Sequence, residues 1–258
     1  MSNELDDKIK KNLLEFAVRS AEQAGDLTLE YFRASIDVER KDDETPVTVA
    51  DKHSERILRD AIEAEYPNHA ILGEEYENKN TDSSFRWILD PIDGTQSFVR
   101  GVPLYAVLVA LQYEGNPLLG VIHIPPLHET VAAAIGVGCF HDHKLCHIAE
   151  TKSLSNAWVQ VTDVVSLAKH RPTLLERLLA EVGFLRTWGD AYGYLLLATG
   201  RAHVMIDPVM EIWDIAPLMP IITEAGGWFG DLDGKANALG ESALACVPSL
   251  RESLLTLF

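Results

Sequence analysis

Residues 87–98 read WILDPIDGTQSF, and the rest of the chain is organised around them. An apolar run, Phe85 to Leu89, carries the chain inward as a buried strand and ends abruptly on Asp90-Pro91-Ile92-Asp93-Gly94-Thr95. Pro91 fixes φ and Gly94 permits backbone angles that other residues resist, so a sharp turn is expected here. Asp90 and Asp93 can then face one small volume. Two carboxylates held close repel unless a proton or a cation lies between them, and a hard, oxygen-seeking divalent ion such as Mg²⁺ suits that place. Asp-Pro and Asp-Gly are also ordinary turn dipeptides; it is the whole run directly after a buried strand that points to chemistry.

Working outward, a short apolar strand, Ala70-Ile71-Leu72, runs into Gly73-Glu74-Glu75. These acids are either a solvated loop or a third source of metal-directed oxygen. Upstream, Thr48-Val49-Ala50-Asp51 opens a helix over about Val49 to Tyr66 with the capping-box pattern, Ile57, Ala61 and Ile62 facing inward. Asp51 is therefore a first-turn acid, with or without a second role. Before it, Leu13, Ala17, Ser20, Ala24, Leu27 and Tyr31 line one face of a packing helix from about Asp6 to Phe32. Residues 41–46, KDDETP, read as a charged loop able to act as a flap.

Downstream, VRGVPLYAVLVALQ, the EGNP turn and LLGVIHI give a hairpin, and Thr130 to Ala134 a further strand of one extended antiparallel sheet. Cys139, His141, His143, Cys146 and His147 tempt a zinc reading, but no C-x₂-C or H-x₃-H pair is present and alternation sends neighbours to opposite faces. A hairpin with His141-Asp142-His143-Lys144 at its tip is the reading we prefer. From about Thr151 strands and helices alternate: a strand Trp158 to Thr162, helices Pro172 to Glu181 and Gly189 to Thr199, and a strand Val204 to Asp207. A helix opened by Trp213-Asp214 closes at Ala225-Gly226-Gly227. An Asp at a helix start is ordinarily an N-cap, which applies to Asp214. The expected organisation is two intimate halves, 1–150 and 151–258, with the site between them.

The 258-residue chain has 39 acidic and 22 basic residues, a net charge of −17. That disfavours nucleic acid, whose binding requires clustered Lys and Arg. No uninterrupted apolar stretch is long enough to span a membrane, and the polar start MSNELDDKIKK reads as no signal peptide. Three cysteines, an odd number, argue for a reducing compartment, the cytoplasm. No GK[ST] phosphate loop exists, so bound metal ions would supply the positive charge that a phosphate needs.

Taken together, Gly73-Glu74-Glu75, the Asp90 to Thr95 run, and Trp213-Asp214 followed by Glu224-Ala225-Gly226-Gly227 resemble the inositol monophosphatase family over nearly the whole chain. The resemblance implies an α/β layered sandwich, αβαβα, of the inositol monophosphatase/fructose-1,6-bisphosphatase type with mixed and antiparallel sheets. It implies a Mg²⁺-dependent, lithium-sensitive phosphatase for small phosphate monoesters, often a homodimer. It implies that Glu74, Asp90, Asp93, Asp214 and the carbonyl of Ile92 ligate two to three Mg²⁺ ions, that Asp51 and Thr95 orient the attacking water, and that the amides of Gly94 and Thr95 face the phosphate. Gln96-Ser97-Phe98-Val99-Arg100-Gly101-Val102-Pro103 and Gly189-Asp190-Ala191-Tyr192-Gly193-Tyr194, then Ala198-Thr199-Gly200-Arg201, resemble its histidinol-phosphatase branch. Asp190 and Asp207, with Asp93 and Asp214, would then meet the substrate, the first two favouring its cationic groups; locally, Asp190 reads as a helix cap and Asp207 as an Asp-Pro turn. An inositol-1-phosphate or broad sugar-phosphate phosphatase is the alternative. A non-catalytic regulator on the same fold would require a lost catalytic side chain, and none is lost. Arg100 and Arg201 are either substrate contacts or surface ion pairs.

Overall fold

The computed structural model describes residues 5–34, 38–40, 46–236 and 240–258. Helix α1 (Asp7–Tyr31) starts at Asp6, whose carboxylate accepts a hydrogen bond from the Lys8 amide. Strand β1 (Val38–Arg40) pairs antiparallel with β2 (Pro46–Thr48), which runs straight into α2 (Val49–Glu65). Of the expected 41–46 flap, only Pro46 lies within the described residues, opening β2.

A seven-stranded sheet follows in the order β3-β4-β5-β6-β7-β8-β9. It comprises β3 (Ala70–Gly73), β4 (Phe85–Asp93), β5 (Ala106–Tyr113), β6 (Asn116–Ile124), β7 (Glu129–Ala134), β8 (Gly138–His141) and β9 (Lys144–Leu145), with the short helix α3 (Thr95–Val99) between β4 and β5. Only β3 and β4 pair in parallel; the remaining neighbours are antiparallel. The β8–β9 turn has Asp142 and His143 at φ 46° and 65°, the two left-handed centres of a tight hairpin. The Cys/His stretch is thus a hairpin. Cys139 Sγ stands 3.5 Å from Cys146 Sγ, while His141 Nε2 lies beside the carboxylates of Glu129 and Asp142.

A five-stranded sheet, in the order β11-β10-β12-β14-β13, uses the later residues. It is reached through β10 (Trp158–Val161), α4 (Val164–His170), α5 (Pro172–Glu181), β11 (Phe184–Arg186), α6 (Ala191–Ala198), β12 (Val204–Asp207), α7 (Ile212–Ile215), α8 (Leu218–Glu224), β13 (Trp228–Gly230), β14 (Ala243–Cys246) and α9 (Arg251–Leu255). The single helix expected from Trp213 to Ala225 is two pieces. Pro217 at the break has no N–H to give back to the preceding turn.

Strand alternation sorts these elements into layers. Val107, Val109 and Leu111 of β5, with Val121 of β6, pack on Leu13, Phe16, Ala17 and Leu58 of α1 and α2. Leu108, Ile122 and Val131 point the other way, into a second core with Tyr194 and Leu197 of α6 and Leu218 and Ile222 of α8. On β12, Met205 meets Gly193 of α6, so Val204 and Ile206 take the opposite face of their sheet, in the core that also holds Leu167, Leu174 and Leu178 of α4 and α5. The order is helix, sheet, helix, sheet, helix: an α/β layered sandwich. Glu224, at the end of α8, ties the layers by accepting hydrogen bonds from the Gly136 and Gly138 amides, each 2.9 Å.

Candidate active site

In a regular strand, residues three apart point to opposite faces. β4 does not stop at Asp90; it continues to Asp93 through an irregularity, because Asp90 pairs with Leu108 and Asp93 with Ala106. Three steps on β4 therefore match two on β5. The extra residue, placed at Pro91-Ile92 where Pro91 can donate nothing to the ladder, turns both carboxylates to the same side. The Ile92 amide donates to Asp90 Oδ1 at 3.0 Å, which fixes the bulge. The sharp turn comes later, at Gly94 with φ 78°.

Asp214 arrives from α7, where its Oδ2 accepts the Glu211 amide at 2.8 Å. It thus serves its helix from the third position of a capping box whose N-cap is Glu211, instead of being the N-cap that its place at the helix start suggests. It also meets Asp90 and Asp93: one carboxylate oxygen from each of the three lies within 4.8 Å of the others, the one such metal-competent group among the described residues. Burial, then the charges of Glu74, Asp93 and Asp214, hold the Asp90 carboxyl well above its usual range. Burial, then Asp190 and Asp214, does the same to Asp93, and burial pushes Asp214 up to about 6. Three hard oxygen donors with this much mutual repulsion match a divalent cation of the Mg²⁺ type.

Glu74 reaches this group through sheet register. Gly73 pairs with Leu89 on the parallel neighbour, so the next residue on each strand brings Glu74 alongside Asp90. The Glu74 charge is felt at Asp51, Asp90 and Asp214.

Asp51 is buried in the first turn of α2. Its Oδ2 accepts from the Thr48 amide at 2.7 Å and the Thr48 hydroxyl at 2.6 Å, completing the capping box. Its Oδ1 faces the Thr95 hydroxyl at 3.5 Å, and that hydroxyl is 3.0 Å from the Ile92 carbonyl oxygen. Burial pushes Asp51 up to about 6 against the lowering effect of the Thr48 bonds. The local role and the site role are served by different oxygens of one carboxylate.

Beyond Asp93 lies a cavity lined by Thr162, Asp190, Tyr194, Asp207 and Asp214 among others. Asp93 Oδ2 accepts the Ala191 amide at 2.7 Å, which joins the two sheets' layers at this point. Asp190 precedes α6 but makes no side-chain cap bond; its backbone sits at φ 51°, ψ −157°, a region that non-glycine residues rarely enter. The Asp190 amide donates to Thr162 Oγ1 at 3.0 Å, and burial raises its carboxyl to about 6. Asp207 ends β12 with 4% exposure. Tyr194 donates its hydroxyl to Asp207 Oδ2 at 3.0 Å, and burial still pushes this carboxyl up to about 8. Both aspartates therefore turn inward instead of serving only as a cap and a turn residue.

Thr162 and Tyr194 complete this wall, and the sequence did not single them out. Tyr194 carried a signal, being the last residue of the GDAYGY run; Thr162 carried none beyond ending a strand. Arg100 is exposed and donates to the Gln96 backbone and side chain. Arg201 is exposed and pairs with Glu129. Both make local ion-pair or hydrogen-bond contacts. Among the described residues, no helix is long and apolar enough to cross a membrane.

Comparison with known proteins agrees with this fold. Residues 9–258 match the sequence model of the Inositol monophosphatase family. A histidinol-phosphatase of Chlorobaculum parvum is 39% identical over 247 residues, covering 94% of this chain and 95% of that protein. A histidinol-phosphatase of Mycobacterium tuberculosis is 36% identical over 94% of this chain and 96% of its own length. Among solved structures, the extragenic suppressor protein suhB of Bartonella henselae superposes with a TM-score of 0.90 at 26% identity, over 95% of this chain and 98% of that one.

Proposed function

The chain belongs to the inositol monophosphatase family, and from that premise we propose that this phosphoric monoester hydrolase cleaves L-histidinol phosphate to L-histidinol and phosphate, a step of histidine biosynthesis. The observation that carries the chemistry is the triad of buried Asp90 and half-buried Asp93 and Asp214, within 4.8 Å, beside the Asp51–Thr95 pair. The observation that carries the substrate is a second pair of inward carboxylates, Asp190 and Asp207, on the far side of Asp93. Histidinol phosphate bears an ammonium and an imidazole, which such a wall attracts, whereas a polyol would want neutral donors and acceptors mixed with carboxylates. The histidinol-phosphatase relatives support the same choice.

In this reading Glu74, Asp90, Asp93, Asp214 and the Ile92 carbonyl oxygen hold two to three Mg²⁺ ions, and Li⁺ inhibits by competing there. Bound Mg²⁺ neutralises the phosphate dianion and lowers the pKa of a water molecule. The chain's own groups do the rest. Gly94 and Thr95 precede the first intrahelical bonds of α3, donated by the Ser97 and Phe98 amides to the Gly94 carbonyl, so their own amides are assigned to the phosphate oxygens. Thr95 Oγ1 orients the attacking water, and Asp51 Oδ1 receives the proton through that hydroxyl. Asp93 and Asp214 border both the metal-directed triad and the substrate cavity, so each is also assigned a substrate contact. Attack is direct, without a covalent phosphoenzyme. The protein works in the cytoplasm as a homodimer, without nucleic acid or membrane.

Phosphate release from L-histidinol phosphate by the wild type and Asp93→Asn, each with Mg²⁺ and with chelator, tests the assignment. Release should require Mg²⁺ and fall by at least about 10³-fold in the variant. Undiminished Mg²⁺-dependent release by Asp93→Asn would overturn it.

A further inference from the structure

Glu55 and Arg59 stand four residues apart on α2. Glu55 has no exposed surface and Arg59 is 7% exposed, yet both carry full charges in their ordinary states. Arg59 Nε donates to Glu55 Oε1 at 2.6 Å. The second Glu55 oxygen, Oε2, accepts the Glu75 amide at 2.7 Å. Arg59 Nη2 donates in turn to the Tyr76 carbonyl at 3.2 Å, and its guanidinium lies over the Tyr76 ring. Gly73 packs directly on the same carboxylate: a Cβ there would fall 2.0 Å from Glu55 Oε1. The backbone is thus held at Gly73 by contact, at Glu75 through its amide and at Tyr76 through its carbonyl. The residue enclosed by these three restraints is Glu74.

A buried ion pair is a poor device for stability alone, because apolar side chains of similar volume commonly do as well or better. What apolar side chains cannot do is accept the Glu75 amide and hold the segment in one position. We propose that Glu55 and Arg59 are positioning residues that fix the Gly73–Tyr76 segment, so that the Glu74 carboxylate faces Asp90 and Asp214 and binds metal there. This rests on the reading of Glu74 as a metal ligand. Groups that orient a ligand from behind, when removed, typically weaken metal binding by about 10–100-fold. Both Glu55 oxygens are occupied by donors, so an amide at this position satisfies one and leaves the other facing an N–H₂.

The test is Mn²⁺ affinity, measured by calorimetry and electron paramagnetic resonance on wild type, Glu55→Gln, the double variant Glu55→Met with Arg59→Leu, and Asp93→Asn as a control for the site. The apolar double variant separates folding from positioning, since it removes the buried charges together; Glu55→Gln keeps the side-chain volume if the double variant is poorly folded. Melting in chelator checks that each is native. We expect both Glu55 variants to bind Mn²⁺ about 10–100-fold more weakly, to need correspondingly more Mg²⁺ for half-maximal phosphate release, and at saturating Mg²⁺ to keep KM for the ester within about twofold. Wild-type Mn²⁺ affinity in either folded variant would overturn the proposal and leave the metal site standing. Absence of Mn²⁺ binding by the wild type would instead sink the metal reading, and this positioning role with it.

Discussion

Gly94 and Asp190 are fitted to one another across the two layers: Gly94 holds φ 78°, and a Cβ on it would stand 2.8 Å from Asp190 Oδ2. No L side chain suits either condition. Gly94→Ala should therefore cost about 1–2 kcal/mol from the left-handed backbone alone and push apart the α3 entry and the Asp190 wall. A displacement of the order of 1 Å at a reacting centre lowers turnover by about 10²-fold. Steady-state kinetics should show that loss in kcat/KM, with a melting temperature lower by several degrees. Wild-type kinetics would mean that the two groups do not share a working geometry.

Asp90, Asp93 and Asp214 oppose one another when no cation separates them, each raised by burial and by neighbouring acids. Asp93→Asn removes one charge and keeps an oxygen for the Ala191 amide. Melting in chelator should then rise by about 2 °C or more, while the gain that wild type shows on adding Mg²⁺ should disappear. Stability and activity would move in opposite directions. A variant less stable than wild type in chelator would contradict the account of repulsion.

The substrate wall makes a separate prediction. Asp207→Asn keeps an oxygen for the Tyr194 hydroxyl but cannot ionise, whereas the Asp207 carboxyl, raised to about 8 by burial, is drawn into its charged form when a cationic group binds beside it. We expect kcat/KM for L-histidinol phosphate to fall by about tenfold or more, against little change for an uncharged-alcohol ester such as inositol 1-phosphate. Equal losses on both esters would assign Asp207 to the scaffold.

His123 supplies a pH dependence away from the metal-directed groups. It is buried, its Nδ1 is 2.8 Å from Thr130 Oγ1, and burial pushes its imidazole down to about 4. The unfolded chain, with an imidazole near 6.5, takes up a proton between those values that the folded chain refuses. The stability difference is fully present above about pH 6.5 and is lost as pH falls towards 4, amounting to about 2–3 kcal/mol. Urea unfolding at pH 7 and pH 4.5, compared with His123→Gln, should show the extra loss only in wild type. Identical losses would contradict it.

The sequence spoke most clearly where chemistry and geometry reinforce each other. Asp90 and Asp93 announced a shared site because Pro91 and Gly94 flank them, although the device that unites them is a bulge inside β4 and the turn itself comes one step later. Bulges depend on the neighbouring strand, and β5 is not visible from β4 alone. Long elements with strong periodicity, α1 and α2, were legible for the same reason that they are stable: a whole apolar face packs. Strands β11, β13 and β14 have three or four residues each and take their form from the partners beside them. The break at Pro217 was written in the sequence, but the apolar residues on both sides of it read as one helix. Glu55 and Arg59 carried no signal in the sequence, and their burial and the packing of Gly73 against them show that they point inward.

In the proposed function, a metal-directed acidic triad is coupled to a wall built for a cationic phosphate ester. Initial rates of phosphate release from L-histidinol phosphate and from inositol 1-phosphate, measured side by side with Mg²⁺ and with chelator, test it most directly. Release should depend on Mg²⁺, with kcat/KM at least about 10²-fold higher for histidinol phosphate. A preference for inositol 1-phosphate would contradict the substrate assignment, and release unaffected by chelator would contradict the metal-dependent chemistry itself.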